Sequence, residues 1–427
     1  MKLESVTREQ IPTIVKERKQ RTSEDYVQID QRVQIIVNAI RQEGDEAVFR
    51  YIKELDHADI NELVATQAEI DAAFEATSKA FQDIVKEAKT NITAYHEEQR
   101  EKSWYTNQED GVWLGQQVRP IDRVGVYVPG GKAAYPSTVL MNVIPAKVAG
   151  VEKITVTTPV QEDGSIHPNT LIAASIAGAD EILKVGGAHG IAALAYGTET
   201  VTPVDKIVGP GNAYVARAKK MVFGDVGIDM IAGPSEVCVI ADEYANPAFV
   251  AADMLAQAEH DELASSIVVT TSQAFAERVK QEVEAQTEQL NRQSIINQSI
   301  KQQGALYVVD DLKIGFELVN ELAPEHLEVH TENPFEQLEK IKHAGAIFLG
   351  EYAPEALGDY FAGPNHTLPT NGTAKFSSPL GVYDFMKKSS VIYYNEEALG
   401  KVVNQIDRFA LEEGLDGHAA SVKKRFE

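Results

Sequence analysis

The 427-residue chain is almost without cysteine, and Cys238 stands alone. An internal disulfide is therefore excluded, and a reducing compartment fits, so a cytoplasmic location is expected. Basic residues are also short: 40 Lys and Arg face 64 Asp and Glu, a formal net charge of −24. Such a surface repels phosphate backbones and anionic lipid, so neither nucleic acid nor a membrane is expected as a partner. No run approaches the ~18 uncharged apolar residues of a membrane span. The opening segment MKLESVTREQIPTIVKERKQ carries charges throughout and lacks the apolar stretch of a secretory signal. A Walker A loop is missing, which weighs against an NTPase. The dinucleotide fingerprint G-x-G-x-x-G also fails: its nearest match, Gly209-Pro210-Gly211-Asn212-Ala213-Tyr214, has tyrosine at the third glycine.

What is present is alternation. Hydrophobic residues make up 44% of the chain, enough for large cores. Residues 1–25 are polar and read as an arm. Residues 26–100 carry charged, helical periodicity. From Arg123 onward, short apolar β-branched runs such as VGVYVP, KITVTTP, DKIVG, EVCVIAD, SSIVVTTS and GALYVVD alternate with helical stretches. Strands that are apolar on both faces imply parallel sheets covered by helices on both sides, and there is too much for one sheet. The expected fold class is α/β with two domains. Beyond about residue 380 strand signals fade and a helical tail is expected. Its residues Val402, Val403, Ile406, Phe409 and Ala410 form an apolar stripe. Three glycine turns after strands, at Gly130-Gly131, Gly186-Gly187 and Gly209-Pro210-Gly211, can present backbone N–H groups to an anion, though such turns need glycine in any case.

The second half concentrates polar chemistry. Gln257 and His260 are three residues apart in AADMLAQAEHDEL, one helical face if the helix continues. Glu325 and His326 follow Pro324 on what reads as a turn or helix start, and can serve as base and acid near neutral pH. Asp359 and His366 lie in a Gly/Pro-rich stretch after a helix, and Glu413 and His418 flank a glycine turn. Each feature alone has an ordinary structural reading as a polar helix end, a capped turn or a surface loop. Together Gln257, His260, Asp359 and His418 make a credible ligand set for zinc, with imidazole nitrogen and carboxylate oxygen as donors. Cys238, mid-strand in EVCVIAD, reads as a small core hydrophobe rather than a nucleophile.

Eight stretches in order carry a resemblance: VGVYVPGGKAAYPSTVLMNVIPAKVAGV, VGGAHGIAALAYGTETV, VDKIVGPGNAYVARAKK, DMIAGPSEV, ADMLAQAEHD, LAPEHLE, AGAIFLGEYAPEALGDYFAGPNHTLPT and EEGLDGHAAS. From about residue 120 to 421 the chain resembles the histidinol dehydrogenases. The resemblance implies oxidation of L-histidinol through histidinal to L-histidine with two NAD molecules. It implies zinc on Gln257, His260, Asp359 and His418, with those four, Ser235, His326, His366 and Glu413 contacting substrate. It implies proton chemistry on Glu325 and His326, and NAD contacts at Tyr127, His189 and Asn212. His189 departs from the family, which usually has glutamine there.

The resemblance further implies two incomplete Rossmann-like domains. The first would be 26–122 with 237–365, carrying metal and catalytic residues; the second, 123–236, would be the NAD side. The arm 1–25 and the tail 380–427 complete the division, and the family implies a homodimer whose tail reaches the partner's site. On the residues alone, a metal-dependent hydrolase and a non-catalytic binding protein stay open as alternatives.

Overall fold

The computed structural model describes residues 1–21, 26–130 and 134–427; residues 22–25 of the expected arm and Gly131 of the first glycine turn lie outside the described residues. Two parallel sheets organise the chain. The smaller has five strands in the order Glu181–Leu183, Lys153–Thr157, Arg123–Tyr127, Lys206–Val208, Gly227–Ile228. The larger has six, in the order Lys2–Val6, Ala305–Val309, Ser265–Thr270, Glu236–Ala241, His326–His330, Ala346–Leu349. From residue 123 onward, each sheet's strands taken in chain order run third, second, first, fourth, fifth. That is the doubly wound Rossmann order, cut short in both sheets. The expected α/β class with two incomplete Rossmann-like units holds.

Burial follows the two-residue period of a strand. In Glu236–Ala241, Val237, Val239 and Ala241 join one hydrophobic cluster, while Cys238 and Ile240 join another on the opposite face. Helices cover both faces, so neither set of side chains meets water. Cys238 is fully buried and its thiol is pushed up to about 12 by burial, as a core residue should be.

Five expectations need revision. The N-terminal arm is ordered: Lys2–Val6 pairs in parallel with Ala305–Val309, and Val6, Ile11 and Ile14 are buried. Residues 26–122 were grouped with 237–365, but the core joins their helices to the smaller sheet. Val33, Val37, Ile40, Val85 and Ile92 share one hydrophobic cluster with Val124, Val126 and Ile154. The helical stripes there needed a partner face, and the sequence did not name which sheet supplied it. The tail is helical only from Glu396; before that, Met386–Tyr394 pairs antiparallel with Val112–Pro120, which pairs with Trp104–Glu109. Finally, the helix bearing Gln257 stops at Ala258, so His260 sits in the turn beyond it, and His326 opens a strand rather than a turn or helix.

The tail helices Glu396–Glu412 and Asp416–Lys423 pack on each other. Among the described residues, none beyond Met386 belongs to the three hydrophobic clusters. No described helix is long and apolar enough to cross a membrane.

Candidate active site

The polar centre forms at the amino ends of the strands Glu236–Ala241 and His326–His330, neighbours in the larger sheet. Ser235 and Glu236 come from one strand's start, Glu325 and His326 from the other's. The backbone N–H of Glu236 donates to Glu325 Oε2 at 2.8 Å. His326 Nδ1 sits 3.1 Å from the Glu236 carbonyl oxygen, so Nδ1 carries the hydrogen and donates there. That leaves Nε2 as the nitrogen that can gain or lose a proton. It is buried without a hydrogen-bond partner and faces Asp359 Oδ1 at 3.7 Å.

A second wall comes from helices. Gln257 is fully buried in Pro247–Ala258. With its amide nitrogen turned to Glu355, it donates to both carboxylate oxygens at 2.9 and 2.8 Å. Glu355 and Asp359 lie four residues apart on the short helix Glu355–Tyr360, on one face. His260, Glu355 and Asp359 bring one donor atom each within 4.8 Å of one another. His366 adds its Nδ1 at 3.0 Å from the Asp359 carbonyl oxygen. The loop carrying His366 is pinned by Asn365, which donates to the Met141 carbonyl at 2.5 Å and lies 3.2 Å from His96 Nε2.

Crowded acids set the electrostatics. Burial pushes Glu325 up to about 8 and Glu236 up to about 7. Burial opposes a charge on His326, but Glu355, Glu325 and Asp359 together hold its pKa well above the usual imidazole value. Burial also works against Asp359, yet His326, His366 and His260 keep its carboxylate below its usual range. The donor set of two carboxylates, an imidazole and an amide fits a zinc-class ion. A cation there would neutralise the acids that now hold His326 protonated.

Of the residues expected at the site, Gln257, His260, Glu325, His326, Asp359 and His366 come together, with Ser235 beside Glu236 at the start of its strand. Glu413 and His418 are exposed on the tail and are not part of the cluster within one chain. Glu355 was missed by the sequence reading. Its signal was available: in Glu355-Ala-Leu-Gly-Asp359 the spacing places both carboxylates on one helical face.

The expected nucleotide contacts lie on the smaller sheet. Tyr127 ends the central strand and Asn212 follows the adjacent strand Lys206–Val208, so both sit at the carboxyl edge where strand order reverses, the usual nucleotide crevice. The turn between them is tight: a Cβ on Gly209, at φ +108°, would meet the Tyr127 carbonyl oxygen at 2.1 Å. Gly209 N–H donates to Asp229 at 2.7 Å, and Lys219, in a close buried ion pair with Asp229, donates to the Gly209 carbonyl at 2.8 Å. Asn212 caps its helix by accepting from Val215 N–H at 3.2 Å. Tyr127 hydroxyl accepts from Gly187 N–H at 3.1 Å. His189 is buried, with Nε2 3.5 Å from Asp56, and neither ring nitrogen has a hydrogen-bond partner.

Comparison with known proteins places this geometry. The family model for histidinol dehydrogenase matches residues 19–426. The histidinol dehydrogenase of Clostridium acetobutylicum is 52% identical over 408 residues, covering 96% of this chain and 95% of that protein. That of Bacillus subtilis is 53% identical over 393 residues, covering 92% of each. A crystal structure of histidinol dehydrogenase from Elizabethkingia anophelis superposes with a TM-score of 0.93 at 37% identity, covering 100% of this chain and 98% of that one.

Proposed function

The chain belongs to the histidinol dehydrogenase family, the oxidoreductases of the last two steps of histidine biosynthesis, and on that premise we propose that it oxidises L-histidinol with two NAD molecules and one zinc ion per subunit. The observation that carries the proposal is His326: a buried imidazole with Nδ1 tied to a carbonyl and Nε2 unpartnered, beside Glu325 and the His260–Glu355–Asp359 donor set.

His260, Asp359 and Gln257 would hold zinc, which when bound would fix the substrate's imidazole and amine, a positioning role able to lower a barrier by several kcal/mol, and NAD would supply the hydride acceptor. His326 Nε2 takes the hydroxyl proton as the carbon–hydrogen bond of the alcohol breaks. Glu325 then removes a proton from the water that adds to the aldehyde carbon. Once His326 Nε2 has passed its first proton to solvent, it takes another from the hydrated aldehyde in the second oxidation. Ser235 and His366 line the substrate's side of the centre. Tyr127, Asn212 and His189 form the NAD side; His189 acts from beneath the surface, through Asp56 and the Gly187 turn. The buried setting shelters the aldehyde between steps.

The fourth zinc ligand, His418, and the substrate contact Glu413 come from a partner subunit in this reading. Support lies in the tail: Ile406, Phe409 and Leu415 are exposed in the single chain, as are Trp104, Trp113 and Ile392 on the antiparallel sheet. Apolar surface on that scale marks an interaction face. The proposed working form is a homodimer in the cytoplasm. Following NADH absorbance after adding histidinol, with and without chelator, tests the reading. A metal-dependent hydrolase would give no NADH at all.

A further inference from the structure

The helix that presents Glu355 and Asp359 is poorly equipped to hold its own shape. Glu355–Tyr360 spans six residues, far below the ~12 at which an isolated helix becomes marginally stable in water. The first N–H groups of any helix need outside acceptors. Here the capping position is Pro354, which has no side-chain oxygen and makes no side-chain cap. The acceptor comes from elsewhere: Glu328 Oε1 takes the Glu355 N–H at 2.9 Å.

Glu328 is fully buried, two residues along the strand from His326 and therefore on the same face. Its second oxygen lies 3.4 Å from His330 Nε2, which is in turn 3.9 Å from Asp253 Oδ2. Asp253 and Gln257 are one turn apart on the facing helix. Three rows of polar side chains thus interleave: His326, Glu328 and His330 on the strand; Asp253 and Gln257 on one helix; Glu355 and Asp359 on the other. Burying a carboxylate this deeply is costly, and a serine at residue 354 would offer its hydroxyl to the N–H of Ala356 or Leu357, not to that of Glu355. What Glu328 supplies and a local cap cannot is a fixed link between the strand that carries His326 and the helix that carries Asp359. A negative group at a helix N-terminus is also favoured by the helix dipole.

We propose that Glu328 is a positioning residue for the metal-binding carboxylate Asp359: a helix cap lent by the strand that bears the catalytic base. The proposal rests on the zinc reading above. Titrating the stripped wild-type protein with zinc against a competing chelator separates the two. Absence of binding would overturn both. With binding established, Glu328→Leu should raise the zinc dissociation constant about 10–100-fold while circular dichroism stays that of the wild type. Glu328→Gln keeps an acceptor oxygen and should bind nearly as the parent does. Pro354→Ser in the Leu background adds only a local cap, at the N–H of Ala356 or Leu357, on a residue already extended (φ −71°, ψ 159°), and should recover little of the loss; recovery of most of it would overturn the link. Unchanged zinc affinity in Glu328→Leu overturns the proposal. So does a fall from two bound zinc ions to one, which would make Asp253, Glu328 and His330 a cation site of their own. Should the Leu variant not fold, amide exchange in wild-type protein decides: slow exchange at Glu355 supports the cap, and exchange at the rate of an open peptide overturns it.

Discussion

Adjacent in sequence, Glu325 and His326 have different partners, and the different tasks proposed for them rest on that. The histidine's Nδ1 is held by the Glu236 carbonyl, fixing the ring with Nε2 toward Asp359. The glutamate accepts the Glu236 N–H and is pushed up to about 8 by burial. A carboxyl that must act as a base works only once ionised, so the histidinal step should quicken as pH rises toward and through about 8. A histidinal pH–rate profile flat from 6 to 9 would contradict the assignment of Glu325. Glu325→Gln should slow histidinal oxidation by about 10²–10⁴-fold and histidinol oxidation far less, whereas removing the His326 imidazole should slow both. Feeding the variants each substrate separately checks this, and equal losses for Glu325→Gln would remove the division of labour. Cys238→Ala should stay active, because a fully buried thiol pushed up to about 12 is no nucleophile at neutral pH.

At the level of elements, the acids gathered where strand and helices meet make stability depend on pH. Asp253 and Glu325 are each pushed up to about 8 and Glu236 up to about 7, all chiefly by burial. A carboxyl with a raised folded pKa holds its proton longer in the folded protein than in the unfolded chain. Its contribution is complete below the unfolded pKa and lost as pH rises through the folded one. The metal-free protein should therefore melt at progressively lower temperature from about pH 5 to 8; a rising melting temperature over that range would contradict these protonation states. Removing the metal itself should abolish turnover and leave circular dichroism nearly unchanged, since the ligands sit outside the hydrophobic clusters of both sheets. How much of this was legible follows the packing. VGVYV and EVCVIA are apolar on both faces and announced themselves. KLESV, at the edge of its sheet, is half polar, and read as an arm. Met386–Tyr394 is exposed along most of its length, so no burial pattern marked it. Gln257, His260, Glu325, His326 and Asp359 were legible as chemistry, but Glu355 and Glu328 act through spatial neighbours, and only Glu355 left a spacing signal.

On the scale of the whole molecule, the tail is the part that a single chain leaves unfinished. Its apolar stripe is exposed at Ile406 and Phe409 and only half covered at Val402 and Val403. If His418 completes the partner's site, mixing inactive His260→Ala with inactive His418→Ala and allowing exchange should restore up to about one quarter of wild-type activity. No recovery, with exchange demonstrated, would place His418 in its own subunit. The two Rossmann-like units are proposed to act together, one with the acid–base pair and the other with the nucleotide crevice, so that the alcohol is taken to the acid without release. The direct measurement is the yield of NADH per histidinol consumed, with histidine assayed as product. Two NADH and one histidine are expected for each histidinol. A yield of one NADH with histidinal accumulating, or histidinol consumed without NADH, would contradict it.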